Sequence, residues 1–519
     1  MISEYILTFK ILIIPKFLPE IFLLITIFVL IVYEFIFKEQ LKHIYSTIFF
    51  LYCIISLMIT FYLLIFIYKF KLFTNLENDL LILNYKICFM KGTVLIISLI
   101  CLILFRYSLT EKSETSCLIY FIFYLFNTLV CLIVLSINIK YLHVLIISLE
   151  LLTISFYTLS CYNYSNFAYL IFRPIHKRKL LYISSVFGIL GLFLFESHFY
   201  IWSLYLSKQM YSYSYFLMLF ANNKYVLVTS VLFLTSNILL KLVTFHSPTH
   251  YIYYQKTPLI TIVYMHLIPK IIFFYFLIDL LFTNFYFIIS EYYLNLLIIS
   301  ASLFCLIIGI GMRRLFLKHS LEYLGLVNTG YLLLCLTPLT FKSVDYCISI
   351  LFFYILIILF YGGIVLFFDN ELNPGKRISF DIIFSDIDQK DYFTIGLSLV
   401  IFSFFGMPPT RRDYPCSRGI PFNGFIIQWL LVKSLLDAKS YLILIPLIIF
   451  NFILFLFYIW TVFPFWDERK YNKFDSFPKY LNLFIIEFAT LYSIFTILTL
   501  ILLQLNSNFI TNFIQTFSI

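Results

Sequence analysis

Apolar residues occur along this chain in long runs that are separated by short polar stretches. Each run is about 20 residues long, the length that an α-helix needs to cross the hydrocarbon core of a bilayer. The pattern therefore predicts about fourteen spanning helices. Their predicted ranges are 19–37, 45–68, 88–108, 116–136, 141–161, 180–204, 225–245, 258–283, 292–312, 320–338, 345–368, 393–432 (interrupted), 440–463 and 480–505.

The composition agrees with a protein that lies in a membrane. Of the 519 residues, 62% are hydrophobic and only 12% are charged, which is about half the charged fraction of a typical soluble domain. The predicted fold class is therefore an all-α polytopic membrane protein. No run is long and polar enough for a soluble domain, so we predict one transmembrane domain over 1–519. Within it, helices of 1–110 precede a core at 111–465 and a last helix at 480–505.

The basic residues indicate how the chain is oriented. Lysine and arginine are concentrated in alternate loops, so the positive-inside rule places those loops on one side and both termini on the other. The net charge of +10 is then a topology signal. We expect no nucleic-acid partner.

Residue usage also suggests where the chain is made. It contains 64 Phe and 42 Tyr against 14 Gly, a bias typical of AT-rich codons. The start "MISEYILTFK" has neither the charged and apolar regions of a signal peptide nor the Arg- and Ser-rich pattern of a transit peptide. These features predict an organelle-encoded protein.

The cysteines do not predict a metal or redox site. All ten occur singly, without a CxxC pair, whereas zinc and iron–sulfur sites need several converging thiolates or imidazoles. No glycine-rich nucleotide loop is present either. We therefore expect no cofactor and no metal in this chain.

Three charged residues in predicted spans are interpreted as lying at membrane depth. They are Glu150 in "YLHVLIISLELLTISFY", Lys241 in "LFLTSNILLKLVTF" and Lys270 at the end of "TPLITIVYMHLIPK". A charge at membrane depth costs at least a few kcal/mol, so such residues are usually paired and functional. A buried lysine can take up and release a proton near neutral pH. The three residues are therefore predicted to transfer protons.

Less specific interpretations exist for these and the neighbouring residues. A lone lysine can extend to the interface or form a structural ion pair. The histidines His143, His246 and His266 are interpreted first as packed side chains, with His246 as a possible relay member. Glu196 and His198 lie near a predicted helix end and are interpreted as interfacial.

Several stretches resemble the antiporter-like membrane subunits of respiratory complex I, and most closely subunit 2 of NADH:ubiquinone oxidoreductase. "LELLTISFY" resembles the fifth helix of that family, and the stretch from Lys241 through "YQKTPLITIVYMHLIPK" resembles its paired-lysine region. "LPEIFLL", "RRLFLKHSLEYLGLVNTGYLL", "FFGMPPT" and "GIPFNGFIIQW" resemble its opening segment, tenth helix and broken twelfth helix. The resemblance extends from about residue 17 to residue 465 and implies an antiporter-like architecture with inverted repeats.

The resemblance implies a function that the residues alone do not specify. It implies a proton-translocating membrane-arm subunit of complex I, an NADH:ubiquinone reductase, in the mitochondrial inner membrane. FMN, iron–sulfur clusters and ubiquinone are then expected in other subunits. The expected partners are other membrane-arm and accessory subunits, a respiratory supercomplex, and lipids such as cardiolipin.

The resemblance also implies a proton relay, and the chain departs from it at one important place. The possible relay members are His246, Lys318, Glu322, Gln428 and Lys433. The family has a lysine where this chain has Gln428, and the neighbouring stretch 409–420 is longer than usual. A glutamine cannot carry a proton as an ammonium does, so Lys433 is a possible substitute. Two alternatives stay open: an independent cation/proton antiporter, and a structural subunit that has lost pumping.

Overall fold

The computed structural model describes residues 17–37, 42–69, 83–108, 117–137, 142–161, 239, 259–281, 298–303, 305–306, 317–371 and 423–462. Within these ranges every element is an α-helix, so the predicted all-α class is confirmed. We number the helices α1 Leu18–Phe37, α2 Lys42–Lys69, α3 Tyr85–Ser108, α4 Cys117–Leu135, α5 Leu142–Cys161, α6 Leu259–Asp279, α7 Leu317–Leu336, α8 Phe341–Glu371, α9 Asn423–Asp437 and α10 Tyr441–Val462.

Each of these helices coincides with a predicted apolar run. The boundaries differ most for α9, which continues to Asp437 instead of ending at 432, and for α8, which begins at Phe341 instead of residue 345. Polar residues at the helix ends explain both differences, because apolar content marks the span but not the full length of a helix. The predicted spans at 180–204 and 480–505, the span at 225–245 apart from residue 239, and residues 406–422 of the interruption lie outside the described residues.

Four described helices are long and apolar enough to cross a membrane. These segments are Ile48–Lys69, Tyr85–Leu104, Thr261–Asp279 and Lys342–Gly363. Shorter apolar helices accompany them in the described part of the chain. The chain is a multi-pass membrane protein.

The chain divides into two compact units, each with most of its contacts inside itself. The first unit is Met1–Phe245 with Ile252–Leu280, and its described helices are α1 to α6. The second unit is His246–Tyr251 with Leu281–Ile519, and its described helices are α7 to α10 together with residues 298–303 and 305–306.

In the first unit, α6 lies at the centre and α1 and α2 lie outside. The spanning part of α6 is completely buried, and α6 packs against α3, α4 and α5. In contrast, α1 and α2 expose large apolar side chains, such as Phe28 and Tyr62. An apolar exterior is compatible with lipid, and the enclosed α6 is the helix on which a polar group is best shielded from lipid.

In the second unit, α7 and α8 form a helical pair, and α9 packs against both. A close approach brings α7 to the helical residues 298–303 and 305–306. A Cβ atom built on Gly330 would lie 2.8 Å from the Leu306 side chain and 3.2 Å from the Ser302 carbonyl oxygen. Only glycine allows this approach, because the carbonyl belongs to the backbone and cannot rotate away.

We expect Gly330→Ala to destabilise the second unit by about 1–3 kcal/mol, the usual cost of overpacking a helix contact. The measurement is the thermal unfolding temperature of the purified protein. Gly92→Ala in α3 is the matched control, because its Cβ would meet Phe61 and Leu64 only at 3.8 and 4.0 Å. Equal unfolding temperatures for the two variants would contradict the close approach.

Candidate proton-transfer site

Lys270 lies in the middle of the enclosed helix α6. Its side chain is 1% exposed and that of His266, one turn earlier, is 0% exposed. Pro269 is inside the same helix and has no N–H, so the carbonyl of Met265 loses its usual donor four residues later. Lys270 is therefore placed where the helix backbone itself supplies an extra acceptor at membrane depth.

Helices α3 and α6 run antiparallel, and this places Lys91 level with Lys270. The start of α3 lies near the end of α6, because the charges of Lys86 on α3 and Asp279 on α6 interact. At the other end, the Tyr124 hydroxyl donates to the Ser98 carbonyl at 2.6 Å, and the Tyr124 ring lies 4.6 Å from the Tyr264 ring.

That Lys91 and Lys270 lie at the same height along their two helices follows from the rise of 1.5 Å per residue in an α-helix. Lys91 lies seven residues before Ser98, and Lys270 lies six residues after Tyr264. Both lysines are therefore about 10 Å from the same contact, on helices that pack against each other.

Glu150 lies at this same level on α5. Short connections join α3 to α4 and α4 to α5, so α5 is antiparallel to α6. The rings of Phe156 on α5 and Tyr264 on α6 lie 5.7 Å apart. Glu150 precedes Phe156 by six residues and Lys270 follows Tyr264 by six, so both are about 9 Å from that contact.

A buried ion pair that the sequence reading did not identify lies at this level too. The Lys91 ammonium donates to Oε1 of Glu20 on α1. Lys91 is 1% exposed and Glu20 is 6% exposed. The ammonium also lies 5.6 Å from the centre of the Phe17 ring. Oε2 of Glu20 has no hydrogen-bond donor among the described residues.

We call the residues Glu20, Lys91, Glu150 and Lys270 the charged layer. Two carboxylates and two ammonium groups thus lie within about one helical turn of the same depth in the first unit. Other side chains of α4 and α6, such as Cys131, Leu132 and Ile271, are apolar and buried. Charges at this depth interact more strongly than charges in water, so a change in one affects the others.

The other residues predicted for the first half of the relay are not described. Lys241 and His246 lie outside the described residues. The backbone positions of Lys318 and Glu322 are on α7, but their side chains lie outside the described part of the structure. Of the three predicted proton-transfer residues, the structure therefore brings Glu150 and Lys270 to one level.

In the second unit, Gln428 belongs to a neutral polar cluster. The Tyr331 hydroxyl on α7 donates to Oδ1 of Asn451 on α10 at 2.6 Å, and it also interacts with the Gln428 side chain on α9. Three helices are thereby joined by amide and hydroxyl groups. Gln428, for which the sequence resemblance implies a lysine, thus takes part in hydrogen bonding between neutral groups.

Lys433 lies away from this cluster. It follows Gln428 by five residues, which is about 140° around an α-helix, and its side chain is exposed. The Lys433 ammonium lies 5.5 Å from the centre of the Tyr346 ring, and the Tyr346 hydroxyl donates to Asp437 at 2.9 Å. Within the second unit, Lys433 therefore occupies a different helix face from Gln428.

We expect Tyr331→Phe to reduce stability by about 1–2 kcal/mol, because the half-buried Asn451 would lose its donor. The measurement is the unfolding temperature of the purified protein. Tyr62→Phe removes a hydroxyl from a tyrosine that is 67% exposed, and we expect it to change the temperature little. If Tyr331→Phe behaved like this control, the cluster would not contribute to holding α7, α9 and α10 together.

Comparison with known proteins gives a consistent fold. No protein-family description matches the chain, and no curated protein matches it. Among solved structures, respiratory complex I from Thermus thermophilus with bound aureothin aligns over 93% of this chain and 97% of its own, with a TM-score of 0.59 and 14% identity. The membrane-bound sulfane sulfur reductase, an archaeal respiratory membrane complex, aligns over 92% and 94%, with a TM-score of 0.67 and 12% identity.

This chain has the antiporter-like fold. The Mrp complex from a Dietzia species supports the same conclusion, with 90% of this chain and 82% of that chain aligned, a TM-score of 0.62 and 11% identity. The antiporter-like fold was implied by the sequence resemblance and is confirmed. At these identities, the likeness concerns the fold alone.

Proposed function

We propose that this chain is a proton-translocating membrane subunit of a respiratory complex of the complex I type. The charged layer is the observation that carries the proposal, since it places lysines and glutamates together inside otherwise apolar helices. Intramembrane ionisable residues of this kind mark proton paths. The fold adds support, because solved respiratory membrane complexes contain chains folded in the same way.

In the proposed mechanism, Lys270 holds and releases the transferred proton. Glu150 acts with Lys241, and a change in their pairing alters how easily Lys270 is loaded. Movement of charge within the charged layer would couple to reactions elsewhere as a shift between two populations. Electron carriers and ubiquinone belong, in this proposal, to other subunits, and the complex lies in the mitochondrial inner membrane.

A native separation of membrane complexes tests the assembly. The membranes are solubilised gently, the complexes are separated, and each band is assayed for NADH oxidation and for this chain by mass spectrometry. We expect the chain in a large band that oxidises NADH. Recovery in a small assembly without that activity would exclude the complex I type and favour an independent cation/proton antiporter.

A structural subunit without pumping is the second candidate, and the neutral Gln428–Tyr331–Asn451 cluster favours it. An uncharged cluster can conduct a proton through hydroxyl groups and water but cannot store one. Gln428→Lys distinguishes the candidates. If the chain does not pump, adding the lysine leaves the number of protons pumped per electron unchanged. If it pumps, a new storage site changes that number.

A further inference from the structure

We propose that the Glu20–Lys91 pair is a positioning pair that controls how tightly Lys270 holds its proton. The inference rests on the proposed function, because it concerns the same proton site. It adds two residues of α1 and α3 to the relay through their charges, without requiring either of them to receive the transferred proton.

The first support is location. Lys91 lies on α3, which packs directly against α6, and it is level with Lys270. Axes of packed helices lie about 8–10 Å apart. At such a separation inside a protein, a unit charge changes the free energy of a neighbouring charge measurably. Lys91 is thus near enough to act on Lys270 through its charge.

The second support is that packing does not explain the pair. A buried ion pair is commonly no more stabilising than apolar residues of the same size. In this chain the sequence next to each charge is strongly apolar: "IFLLITIFVLIV" follows Glu20, and "ICFMKGTVLII" contains one lysine in eleven residues. The pair therefore introduces two charges into a buried site, where apolar side chains would hold the helices equally well.

The signs of the two charges give the expected directions. The Lys91 ammonium repels a proton on Lys270, whereas the Glu20 carboxylate favours one. Removing the negative charge alone should make Lys270 harder to load. Removing the positive charge alone should make it easier to load.

The other titratable groups on α6 and on the helices packed against it must be the same in the wild-type protein and in the Glu20 and Lys91 variants. The charged ones are Lys86 on α3 and Glu150 on α5, with Asp279 and the titratable His266 on α6 itself. Neutral thiol and hydroxyl groups also face this region from α3 and α4, among them Cys88, Cys101, Cys131 and Tyr124. Single substitutions at Glu20 and Lys91 leave all of these unchanged.

The experiment measures protons pumped per electron by the whole complex in proteoliposomes over a range of pH. The variants are Glu20→Gln and Lys91→Gln, which keep a hydrogen-bonding side chain in the pair. We expect the pumping profile to move to lower pH in Glu20→Gln and to higher pH in Lys91→Gln, by about one pH unit each. Shifts in the same direction, or profiles that do not move, would overturn the inference.

Two further variants keep the test decisive. If the single variants do not assemble, the double variant Glu20→Gln/Lys91→Gln contains no unpaired charge. Its profile should move to higher pH by less than one unit, since the removed ammonium is on the helix packed against α6; an unmoved profile would overturn the inference. Lys270→Met distinguishes a failure of the proposed function from a failure of the inference about Glu20 and Lys91. If it pumps normally, the proposed function fails; if it does not pump and the other profiles are unmoved, only the inference fails.

Discussion

Replacing Lys270 by methionine should reduce proton pumping to less than about a tenth while leaving NADH oxidation intact. Methionine has a similar length and suits an apolar site, so the enclosed helix α6 should still form. The site would then lack the group that holds the proton. A reduction in this range corresponds to at least about 1.4 kcal/mol in the barrier for transfer.

The measurement compares electron flow and proton uptake in the same proteoliposomes. Lys342→Met is the matched control, because Lys342 is exposed at the start of α8 and has no place in the proposed relay. We expect normal pumping from the control. Full pumping by Lys270→Met would remove the relay assignment, whereas loss of NADH oxidation as well would indicate a failure of assembly.

The sequence predicts Lys270 and Glu150 for a simple physical reason. Each is a single charge far from both ends of an apolar run, and such a residue stands out without knowledge of the fold. The helices themselves follow from the same runs, and the structure places them within a few residues of the predicted ranges. These features depend on local sequence alone.

Lys91 illustrates what local sequence does not reveal. A span predicted from residue 88 puts Lys91 in the first turn, where a lysine can extend to the interface. The helix instead begins at Tyr85, which places Lys91 in the second turn. Its partner Glu20 is 71 residues away in the sequence. Only the tertiary structure, in which α1 packs against α2 and α4 and these pack against α3, shows that the two charges meet, and no periodicity encodes that contact.

Glu20→Leu should have the largest effect on stability of any single substitution considered for the first unit. Breaking a buried ion pair by removing one partner typically costs about 3–5 kcal/mol, because the remaining charge is left in an apolar site. Here the Lys91 ammonium, 1% exposed, would be that remaining charge. We expect little of the variant chain to be incorporated into its complex, as measured by mass spectrometry of the separated complexes.

The double variant Glu20→Leu/Lys91→Met should recover most of the lost incorporation. Two apolar side chains of similar size would replace the pair, and this exchange is often neutral or stabilising. Lys69→Met, at an exposed lysine of α2, controls for the loss of a positive charge. If the double variant assembles but its pumping profile changes, the pair contributes to function and not to folding. If the double variant is incorporated as poorly as Glu20→Leu, the shapes and hydrogen bonds of Glu20 and Lys91 stabilise the helices as well as their charges.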